Sequence, residues 1–382
     1  MLRYFTAGET HGKCLTAVIE GMPAGVPIDI GKINRELARR QKGYGRGGRM
    51  KIEKDTAQIL SGVRGGYTLG SPITIQIENK DWKNWQEIMG AETAGGDKAV
   101  TCPRPGHADL SGGMKYNHHD LRNVLERASA RETAARVAVG ALVRQLLEQF
   151  DVEFFSHVVQ IGSVKDDEAD VLDKDFFARV SASPVGFASE TAGEKAMQYI
   201  DDVKAKGESC GGVVETIVRG VPAGLGSYVH YDRKIDANLA MAVMSVQAIK
   251  GVEIGTGFAA AENMGSAVHD EIVYKKGFQR RTNRAGGIEG GMTNGEPVVV
   301  RAAMKPIPTL YKPLETVELS DKSPKKASVE RSDVCAVPAC AVVVEAAVAF
   351  EITKFFLDKF NGDCLADVKA YYDCYMQRLA DF

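Results

Sequence analysis

The chain has 382 residues, more than one simple hydrophobic core usually holds, so two domains or one duplicated domain are expected. Hydrophobic residues make up 44% and charged residues 26%, and the formal net charge is −2, which does not indicate a nucleic-acid or membrane partner. Seven cysteines at irregular spacing, without a Cys-x-x-Cys pair, argue against a disulfide framework and a zinc site and favour a reducing, cytoplasmic location.

No membrane-crossing segment is predicted. The N-terminal stretch MLRYFTAGET has no apolar signal core. The most apolar stretch, Val334 to Phe350, is interrupted by Pro338 and Glu345 and is short for a bilayer span, so it is predicted to be a buried helix.

Alternating apolar residues predict several strands, and helical spacing predicts two long helices. One helix is predicted over His118–Phe150, and a second, apolar nearly all round, over Val337–Phe360. Long apolar helices between amphipathic strands favour a layered α+β fold with helices between sheets. The predicted strands are Leu15–Glu20, Ala57–Gly62, Ile73–Glu78, Gly212–Arg219 and Val298–Met304.

Two pairs of similar stretches suggest an internal duplication. The pattern Gly-x-Pro-Ala-Gly begins at Gly21 and again at Gly220, and GGYTLGSPITIQIENK from Gly65 aligns without a gap with GGMTNGEPVVVRAAMK from Gly290. Because turn chemistry reuses Gly, Pro and Thr, a chance likeness of turns before strands is the alternative. The duplication predicts one domain with pseudo-repeats of about 1–150 and 211–382 and an insertion of about 151–210.

A basic, glycine-rich stretch, RRQKGYGRGGRMK from Arg39 to Lys51, contains six cationic residues and no acidic one. Arginine donates hydrogen bonds in pairs to phosphates and carboxylates, so this stretch predicts a site for a small anionic ligand. A solvated basic loop and a nucleic-acid surface are the alternatives. GYGRGG fits Gly-x-Gly-x-x-Gly but follows a predicted helix rather than a strand, which argues against a dinucleotide fold.

Two histidines lie in loops where their neighbours cannot bury them. His11 lies between Thr10 and Gly12 after the first strand, with Glu9 as a candidate to orient it; a plain surface histidine is the alternative. His107 lies in CPRPGHADLSGG, where prolines and glycines restrict the backbone. The adjacent His118 and His119 diverge on a helix, so no metal site is predicted.

Three further stretches carry cations near the predicted helices. Within ERASARETAARVA, Arg127 and Arg131 share a helix face beside small residues, so a bulky ligand could lie there; salt bridges to Glu126 and Glu132 are the alternative. MKPIPT, from Met304 to Thr309, ends a strand in a double-proline loop. The third stretch, ERSDVCAVP, precedes the second long helix.

Seven motifs, GETHG, GYGRGGRMKIE, RPGHAD, RASARET, AIKGVEIG, AGGIEGG and RSDVCAVP, occur in this order. In this respect the chain resembles the chorismate synthase family over almost its whole length. The resemblance implies an anti 1,4-elimination that converts 5-enolpyruvylshikimate 3-phosphate to chorismate and phosphate and requires reduced FMN. It also implies a β-α-β sandwich of two duplicated halves, with central helices between antiparallel sheets, assembled as a homotetramer.

The resemblance assigns three catalytic residues. His11 matches the general acid beside the leaving phosphate, and His107 matches the histidine that protonates the reduced flavin. Asp333 matches the aspartate that helps a flavin nitrogen accept the departing hydrogen. His107 and Asp333 follow Lys80 and Lys305 at nearly the same distance, so they are predicted to be counterparts in the two halves.

The resemblance also implies binding residues for the substrate and the cofactor. Those for substrate are Thr10, Arg40, Arg46, Arg49 and Arg131, and Arg40 and Arg46 also match positions tied to a nicotinamide nucleotide. The family commonly has Ser at the position of Thr10, and Asn is also common at that of Gln247. Those for the flavin are Arg127, Ala128, Ser129, Gln247, Ala248, Gly290, Lys305, Pro306, Ile307, Pro308, Thr309 and Arg331.

Two other functions stay open at this point. One is a different flavin-dependent phosphate lyase, and the other is an RNA-binding protein that uses Arg39 to Lys51. NADPH is a candidate reductant, and because no extra reductase domain is visible, a separate flavin reductase is a candidate partner.

Overall fold

The computed structural model describes residues 1–47, 54–92, 98–167, 175–329 and 332–382. Two residues predicted to bind ligands, Arg49 and Arg331, lie outside these ranges.

The strands form two larger sheets and several short hairpins, and their pairing within both sheets is antiparallel. The first sheet has the order β1-β2-β6-β3 and the second the order β10-β15-β9-β7-β8. The described strands are β1 (Arg3–Ala7), β2 (Cys14–Glu20), β3 (Ala57–Ser61), β4 (Val63–Arg64), β5 (Tyr67–Thr68), β6 (Ile73–Glu78), β7 (Glu153–Ile161), β8 (Val164–Lys165), β9 (Gly212–Arg219), β10 (Ile249–Ile254), β11 (Ile272–Tyr274), β12 (Phe278–Arg280), β13 (Ile288–Glu289), β14 (Met292–Thr293), β15 (Val298–Met304), β16 (Glu315–Val317) and β17 (Pro324–Lys326).

The helices of the described chain range from one turn to more than six turns. They are α1 (Ile30–Gln41), α2 (Asp109–Tyr116), α3 (Arg122–Ala128), α4 (Thr133–Leu147), α5 (Phe176–Ala182), α6 (Glu190–Ala205), α7 (Ile235–Met244), α8 (Gly265–Val268), α9 (Val337–Lys359) and α10 (Leu365–Ala380). Among the helices described, none combines the length and the apolar composition that a membrane span requires.

Helices α4 and α9 lie at the centre of the core. They pack against each other, α4 also contacts β2 and β6 of the first sheet, and α9 contacts β7 and β9 of the second. Both helices are buried on most of their surface, which explains their nearly continuous apolar sequences. The protein is therefore an α+β protein in which helices and antiparallel sheets share one core.

A buried carboxylate ties α9 to its neighbours. Glu345 of α9 accepts hydrogen bonds from Arg39 at 3.1 Å, from Arg144 at 2.7 Å and from Ser156 at 2.6 Å. Burial raises the pKa of Glu345, but the two guanidinium groups outweigh that effect and lower it. The network fixes the end of α1, where the basic stretch begins with Arg39.

The prediction of one continuous helix over His118–Phe150 is wrong. The helix ends at Ala128, Ser129 has extended backbone angles (φ −65°, ψ 147°), and α4 starts at Thr133 after a single tight turn. The Ser129 hydroxyl accepts a hydrogen bond from the Arg131 backbone N–H and so begins that turn. Serine competes for backbone hydrogen bonds in this way, and the interruption leaves a gap between two helices.

The other long helix and the five predicted strands are confirmed, and none of their ends differs by more than one residue. Residues 151–210 contribute α6 and also β7. Strand β7 pairs with β9 along its length, so this region is part of the second sheet as well as a surface extension.

Candidate active site

A cavity of about 440 Å³ opens at the gap between α3 and α4. Its walls come from seven separate chain segments that the fold brings together. The predicted catalytic and ligand-binding residues that line it are Thr10, His11, Arg40, Arg46, His107, Ala128, Ser129, Arg131, Gln247, Ala248, Lys305, Ile307, Pro308, Thr309 and Asp333.

Three other predicted flavin-binding residues do not line this cavity: Arg127, Pro306 and Gly290. The Arg127 guanidinium instead donates to the backbone oxygens of Thr6 at 2.9 Å and Gly8 at 3.2 Å. Gly290 lies in the β13–β14 hairpin with φ +60°, a conformation that favours glycine. Their contacts with a flavin stay predictions.

His11 is held by a carboxylate from another part of the chain. Its ring Nδ1 lies 2.8 Å from Glu126 Oε1, and its backbone N–H donates to Glu126 Oε2 at 2.8 Å. The ring stacks on Trp85 with centroids 3.8 Å apart. Glu9, the residue that the sequence suggested as the orienting group, has its carboxylate turned toward Gly12.

Glu126 is almost completely buried, with its side chain 1% exposed. Burial raises its pKa, but the hydrogen bond and charge of His11, with the charge of Arg122, bring it below the ordinary value. Arg122 Nη1 donates to the same oxygen as His11, at 3.2 Å. The carboxylate is therefore a buried anion in direct contact with the imidazole.

His107 has a carboxylate partner two residues away. Its Nδ1 lies 2.5 Å from Asp109 Oδ1, and Asp109 also accepts hydrogen bonds from the Nε, Nη2 and backbone N–H of Arg104. Burial raises the pKa of Asp109, but the hydrogen bonds from His107 and Arg104 hold it well below its usual range. Because Asp109 is the first residue of α2, the helix N-terminus also favours its charge.

Asp333 lies on another wall of the cavity. Its Oδ1 accepts a hydrogen bond from the Gly47 backbone N–H at 2.6 Å, and its Oδ2 lies 3.3 Å from Arg46 Nη1. These contacts join the basic stretch after α1 to the segment before α9. Asp333 thereby presents a carboxylate, and Arg46 a cation, at one edge of the cavity.

Two arginines on the cavity wall share one buried carboxylate. Arg131 Nη1 donates to both oxygens of Asp55 at 2.7 Å, and Arg40 Nη1 lies 3.6 Å from Asp55 Oδ2. Burial lowers the pKa of Arg40 to about 10 against the opposing charge of Asp55, so Arg40 remains protonated at neutral pH. Asn79 accepts two further hydrogen bonds from Arg131 and so fixes its plane.

Gln247 is oriented by Glu132, to which its Nε2 donates at 3.2 Å. Its Oε1 is buried without a hydrogen-bond partner among the described residues. The next residue, Ala248, has φ +69°, a strained angle for a residue with a side chain. Strained residues often occur at functional sites, where the surrounding structure holds them in place.

The cavity offers no activated thiol among its described lining residues. Cys340 lines the apolar end, where burial raises the pKa of its thiol to about 12. Such a thiol stays protonated at neutral pH and is a weak nucleophile. In the part of the chain that the structure describes, no group of three His, Cys, Asp or Glu residues is placed to hold a metal ion.

Sequence reasoning missed several residues of this site. Asp55, Asn79 and Trp85 carry no local motif, and they reach the cavity region only through tertiary contacts. Glu126 was considered only as a salt-bridge partner on a helix face. No local signal marks Glu126, because the helix break that follows it does not interrupt the apolar spacing.

Two histidines with buried carboxylate partners surround a cavity that also presents four arginines, from Arg40 to Arg131. This combination defines the active site of an enzyme that moves protons on a small anionic substrate.

Comparisons with known proteins agree on one family. The sequence model of a family described as chorismate synthase matches residues 2–357. A chorismate synthase of Desulforamulus reducens is 58% identical and covers 99% of each chain, and one of Bacillus subtilis is 56% identical and covers 95% of each. A crystal structure of chorismate synthase has a TM-score of 0.81 at 44% identity, covering 100% of this chain and 99% of that one.

The chain belongs to the chorismate synthase family. Membership makes it a lyase of the shikimate pathway, which leads to the aromatic amino acids.

Proposed function

We propose that this chain converts 5-enolpyruvylshikimate 3-phosphate to chorismate and phosphate by an anti 1,4-elimination that requires reduced FMN. The observation that carries the proposal is the single cavity in which two carboxylate-bound histidines, Asp333 and four arginines meet. A substrate with one phosphate and two carboxylates needs several cations, and its elimination needs proton donors and acceptors at fixed positions.

Two buried polar atoms support the proposal that the cavity holds a flavin and an anionic group. Gln247 Oε1 is an acceptor without a hydrogen-bond partner among the described residues, which suits an N–H of an isoalloxazine ring. Arg40 Nη1 is a buried donor that likewise lacks a hydrogen bond in the described chain, which suits a phosphate or carboxylate oxygen. We propose that Gln247, Ala248, Ser129 and the stretch from Lys305 to Thr309 hold the cofactor.

Reduced FMN, when bound, supplies electron density to the substrate during the elimination. His11, held by Glu126, keeps a proton available for the departing phosphate. A proton donor matched to the leaving group is typically worth about 10²–10⁴-fold in rate. His107, held by Asp109, keeps a proton at another part of the cavity lining, and Asp333 offers a carboxylate that would help a flavin nitrogen accept the departing hydrogen.

The arginines bind and orient the anionic groups. Arg40 and Arg131 are fixed by Asp55, so little side-chain entropy is lost when a phosphate or carboxylate binds. We propose that Arg49 and Arg331, which lie outside the described residues, complete the substrate and flavin sites. Arg46 and Gly47 of the glycine-rich stretch line the cavity and Gly47 contacts Asp333, so we propose that this stretch limits the access of water.

Anaerobic turnover tests the reaction. Protein, reduced FMN and 5-enolpyruvylshikimate 3-phosphate are mixed without oxygen, and chorismate is followed by its absorbance. Product formation that depends on both FMN and its reduction is the expected result. Absence of product, together with salt-sensitive RNA binding by the stretch from Arg39 to Lys51, would overturn the proposal in favour of an RNA-binding protein.

The source of electrons needs a separate assay. We propose that a separate flavin reductase supplies reduced FMN. Oxidised FMN plus NADPH is then expected to give no chorismate until a reductase or dithionite is added. Turnover with NADPH alone would show that the chain reduces its own flavin, with Arg40 and Arg46 as candidate contacts for the nucleotide.

We also propose that the fold is a sandwich of two duplicated halves. Thr68 and Thr293, paired in the sequence alignment, make the same hydrogen bonds: each donates to the proline oxygen of a Pro-Ala-Gly turn, at 2.5 and 2.7 Å. Each also accepts a backbone N–H from the segment after that turn, at 2.9 and 2.8 Å. Equivalent side-chain contacts on aligned residues are expected of a duplication and are not required by turn chemistry alone.

Strand order supports the same proposal. The order β1-β2-β6-β3 in the first sheet parallels β7-β9-β15-β10 in the second, and in each half α1 or α7 follows the turn and a central helix, α4 or α9, comes after. We therefore place β7 in the second half, so that the insertion begins after it. Superposition of an experimental structure of each half, with His107 and Asp333 in register, tests this proposal.

We further propose that the protein is a cytoplasmic homotetramer. Its cysteines are free, as a reducing compartment requires. Several large apolar side chains are exposed on the single chain, including Tyr228, Tyr231, Phe258, Met264 and Tyr274. Burial of such residues between copies would lower their exposure to water. Light scattering after size-exclusion chromatography is expected to give four chains, and a monomer would contradict the proposal.

A further inference from the structure

We infer that Glu126 is a positioning residue for His11: it fixes the imidazole with its proton on Nδ1, stabilises the charged form and leaves Nε2 toward the cavity. The inference rests on the proposed function, because it concerns the proton donor of that reaction. It assigns a role in proton transfer to a residue that the sequence indicated only as a partner in a surface salt bridge.

The first argument is geometric. Two nitrogens of His11 contact the Glu126 carboxylate: Oε2 accepts from the His11 backbone N–H, and Oε1 lies 2.8 Å from His11 Nδ1. Thr10 adds its backbone N–H at 3.0 Å and its hydroxyl at 2.9 Å to the backbone oxygen of Glu126. Two adjacent residues of the loop are thus attached to one residue of α3, which leaves the imidazole little freedom.

The second argument comes from the ring faces. Trp85 stacks on one face of His11 at a centroid distance of 3.8 Å and an interplanar angle of 19°. With Nδ1 bonded to Glu126 and one face covered, the edge that carries Nε2 is the part of the ring left for a ligand. His11 lines the cavity, so this edge is where a departing phosphate oxygen would receive a proton.

The third argument is electrostatic. A buried carboxylate 2.8 Å from an imidazole favours the protonated ring, since opposite charges interact strongly where water is excluded. Arg122 shares the same oxygen at 3.2 Å and so reduces this effect. Two further charged residues lie near His11 or its stacking partner: Glu9 lies in the same loop as His11, and Lys98 lies 5.7 Å from the Trp85 ring. The other charged or titratable groups that line the cavity are Arg40, Arg46, Arg104, His107, Arg131, Lys305 and Asp333.

The variant Glu126→Gln removes the charge at nearly constant size. Every described partner of the Glu126 side chain is a donor: the His11 N–H, His11 Nδ1 and Arg122 Nη1. Gln offers one acceptor and one amide donor, so in either orientation the NH₂ group faces at least one other donor. The protonated imidazole loses its counter-charge, so we expect kcat to fall by about 10- to 100-fold with little change in KM or FMN affinity.

The pH profile separates this role from a merely structural one. In Glu126→Gln, the loss of activity with rising pH is expected at lower pH than in the wild type. In Arg122→Gln, Glu126 loses the cation that competes with His11 for its carboxylate. The loss of activity with rising pH, the alkaline limb of the profile, is then expected at higher pH than in the wild type. Arg122→Lys retains the charge and serves as the matched control, and Glu9→Gln removes a carboxylate from the same loop and is expected to leave the limb in place.

A spectroscopic measurement makes the inference independent of turnover. Solid-state NMR of sedimented, ¹⁵N-histidine-labelled protein reports the protonation of each ring nitrogen, and the His11 signal is assigned by its loss in His11→Gln. We expect neutral His11 to carry its proton on Nδ1 in the wild type. We also expect Glu126→Gln to need lower pH for double protonation and Glu126→Asp to restore part of the wild-type behaviour.

Each outcome decides the question. A wild-type proton on Nε2, or shifts of equal sign in Glu126→Gln and Arg122→Gln, would overturn the inference. If Glu126→Gln does not fold, the wild-type tautomer and the Arg122→Gln shift still test it. A wild-type protein with the expected tautomer but no chorismate formation would refute the proposed reaction and leave the role of Glu126 in holding His11 intact.

Discussion

The two histidines of the cavity reach the same arrangement by different routes. His107 pairs with Asp109, two residues along the chain, whereas His11 pairs with Glu126, 115 residues away. In both pairs Nδ1 meets a buried carboxylate that an arginine also contacts. A local and a long-range solution thus provide the same chemistry: a ring oriented by an anion, with its charge stabilised.

The difference lies in what else each carboxylate does. Asp109 accepts three hydrogen bonds from Arg104 as well as the one from His107, so it also holds the loop before α2 in shape. Glu126 attaches the loop after β1 to α3, but it does not hold its own loop in shape as Asp109 does. Asp109 is therefore expected to matter more for stability, and Glu126 more specifically for the histidine.

The largest expected effect comes from removing either ring. His11→Ala and His107→Ala are each expected to lower kcat by about 10²–10⁴-fold, because each removes a positioned proton donor. Asp333→Asn is expected to act in the same direction. Single-turnover chorismate formation without oxygen gives the rate, and FMN titration gives the affinity. If FMN binding were lost in the His107 and Asp333 variants, those residues would be structural and the comparison would fail.

An intermediate effect is expected when Asp109 is changed. Asp109→Asn removes the buried anion that Arg104 and His107 contact, and breaking such a buried pair typically costs about 3–5 kcal/mol. Glu126→Gln should cost less, about 1–3 kcal/mol, since its partners are more exposed. Urea unfolding of both variants measures the two losses. Equal losses would contradict the idea that Asp109 has the larger structural role.

The same aspartate predicts a pH dependence of stability. Because its pKa is lower in the folded state, the unfolded chain binds a proton first as pH falls below about 4, the ordinary pKa of Asp. This contribution to the free energy of unfolding is present above that pH and is lost progressively below it. The wild type should therefore lose more stability between pH 5 and the acid limit, roughly pH 2, than Asp109→Asn does. If the free energy of unfolding of the two proteins fell in parallel with pH, this prediction would be wrong.

The smallest effect is expected at Trp85, which covers His11; no described aromatic residue stacks on His107 in this way. An aromatic pair is worth about 0.5–1.5 kcal/mol beyond area burial, and Phe keeps most of that contact. Trp85→Phe should change kcat by less than about 3-fold, and Trp85→Ala by about 10-fold. Steady-state rates suffice for this measurement. A large loss in Trp85→Phe would mean that the bond from its indole N–H to Asp81 positions His11.

Local features of the site could be predicted from the sequence. Proline and glycine around His107 restrict the backbone, and Asp109 is close enough along the chain to meet the ring whatever the fold. Periodicity located the buried helix Val337–Lys359 to within a residue at its C-terminal end. The basic stretch from Arg39 was also visible, because its composition alone marks it as a site for anions.

Other features could not be predicted, for identifiable reasons. The break at Ser129 was hidden because the apolar spacing continues on both sides, and periodicity does not report one extended residue between two helices. Glu9 was expected beside His11 because it is near in sequence, yet Glu126 occupies that place. Asp55, just before β3, and Asn79, just after β6, hold Arg131. Both are far from Arg131 along the chain, so no local sequence pattern indicates these contacts.

The sequence by itself determined the buried helix that starts at Val337 and five of the strands, which residue types are available for proton transfer and anion binding, and which family the chain resembles. Those properties depend on backbone preference and on the period of apolar residues, both of which act over a few positions. Tertiary structure alone decided which carboxylate meets which histidine and where the cavity opens. Such contacts depend on how α3, α4 and α9 pack against the two sheets, and only the assembled core sets those distances.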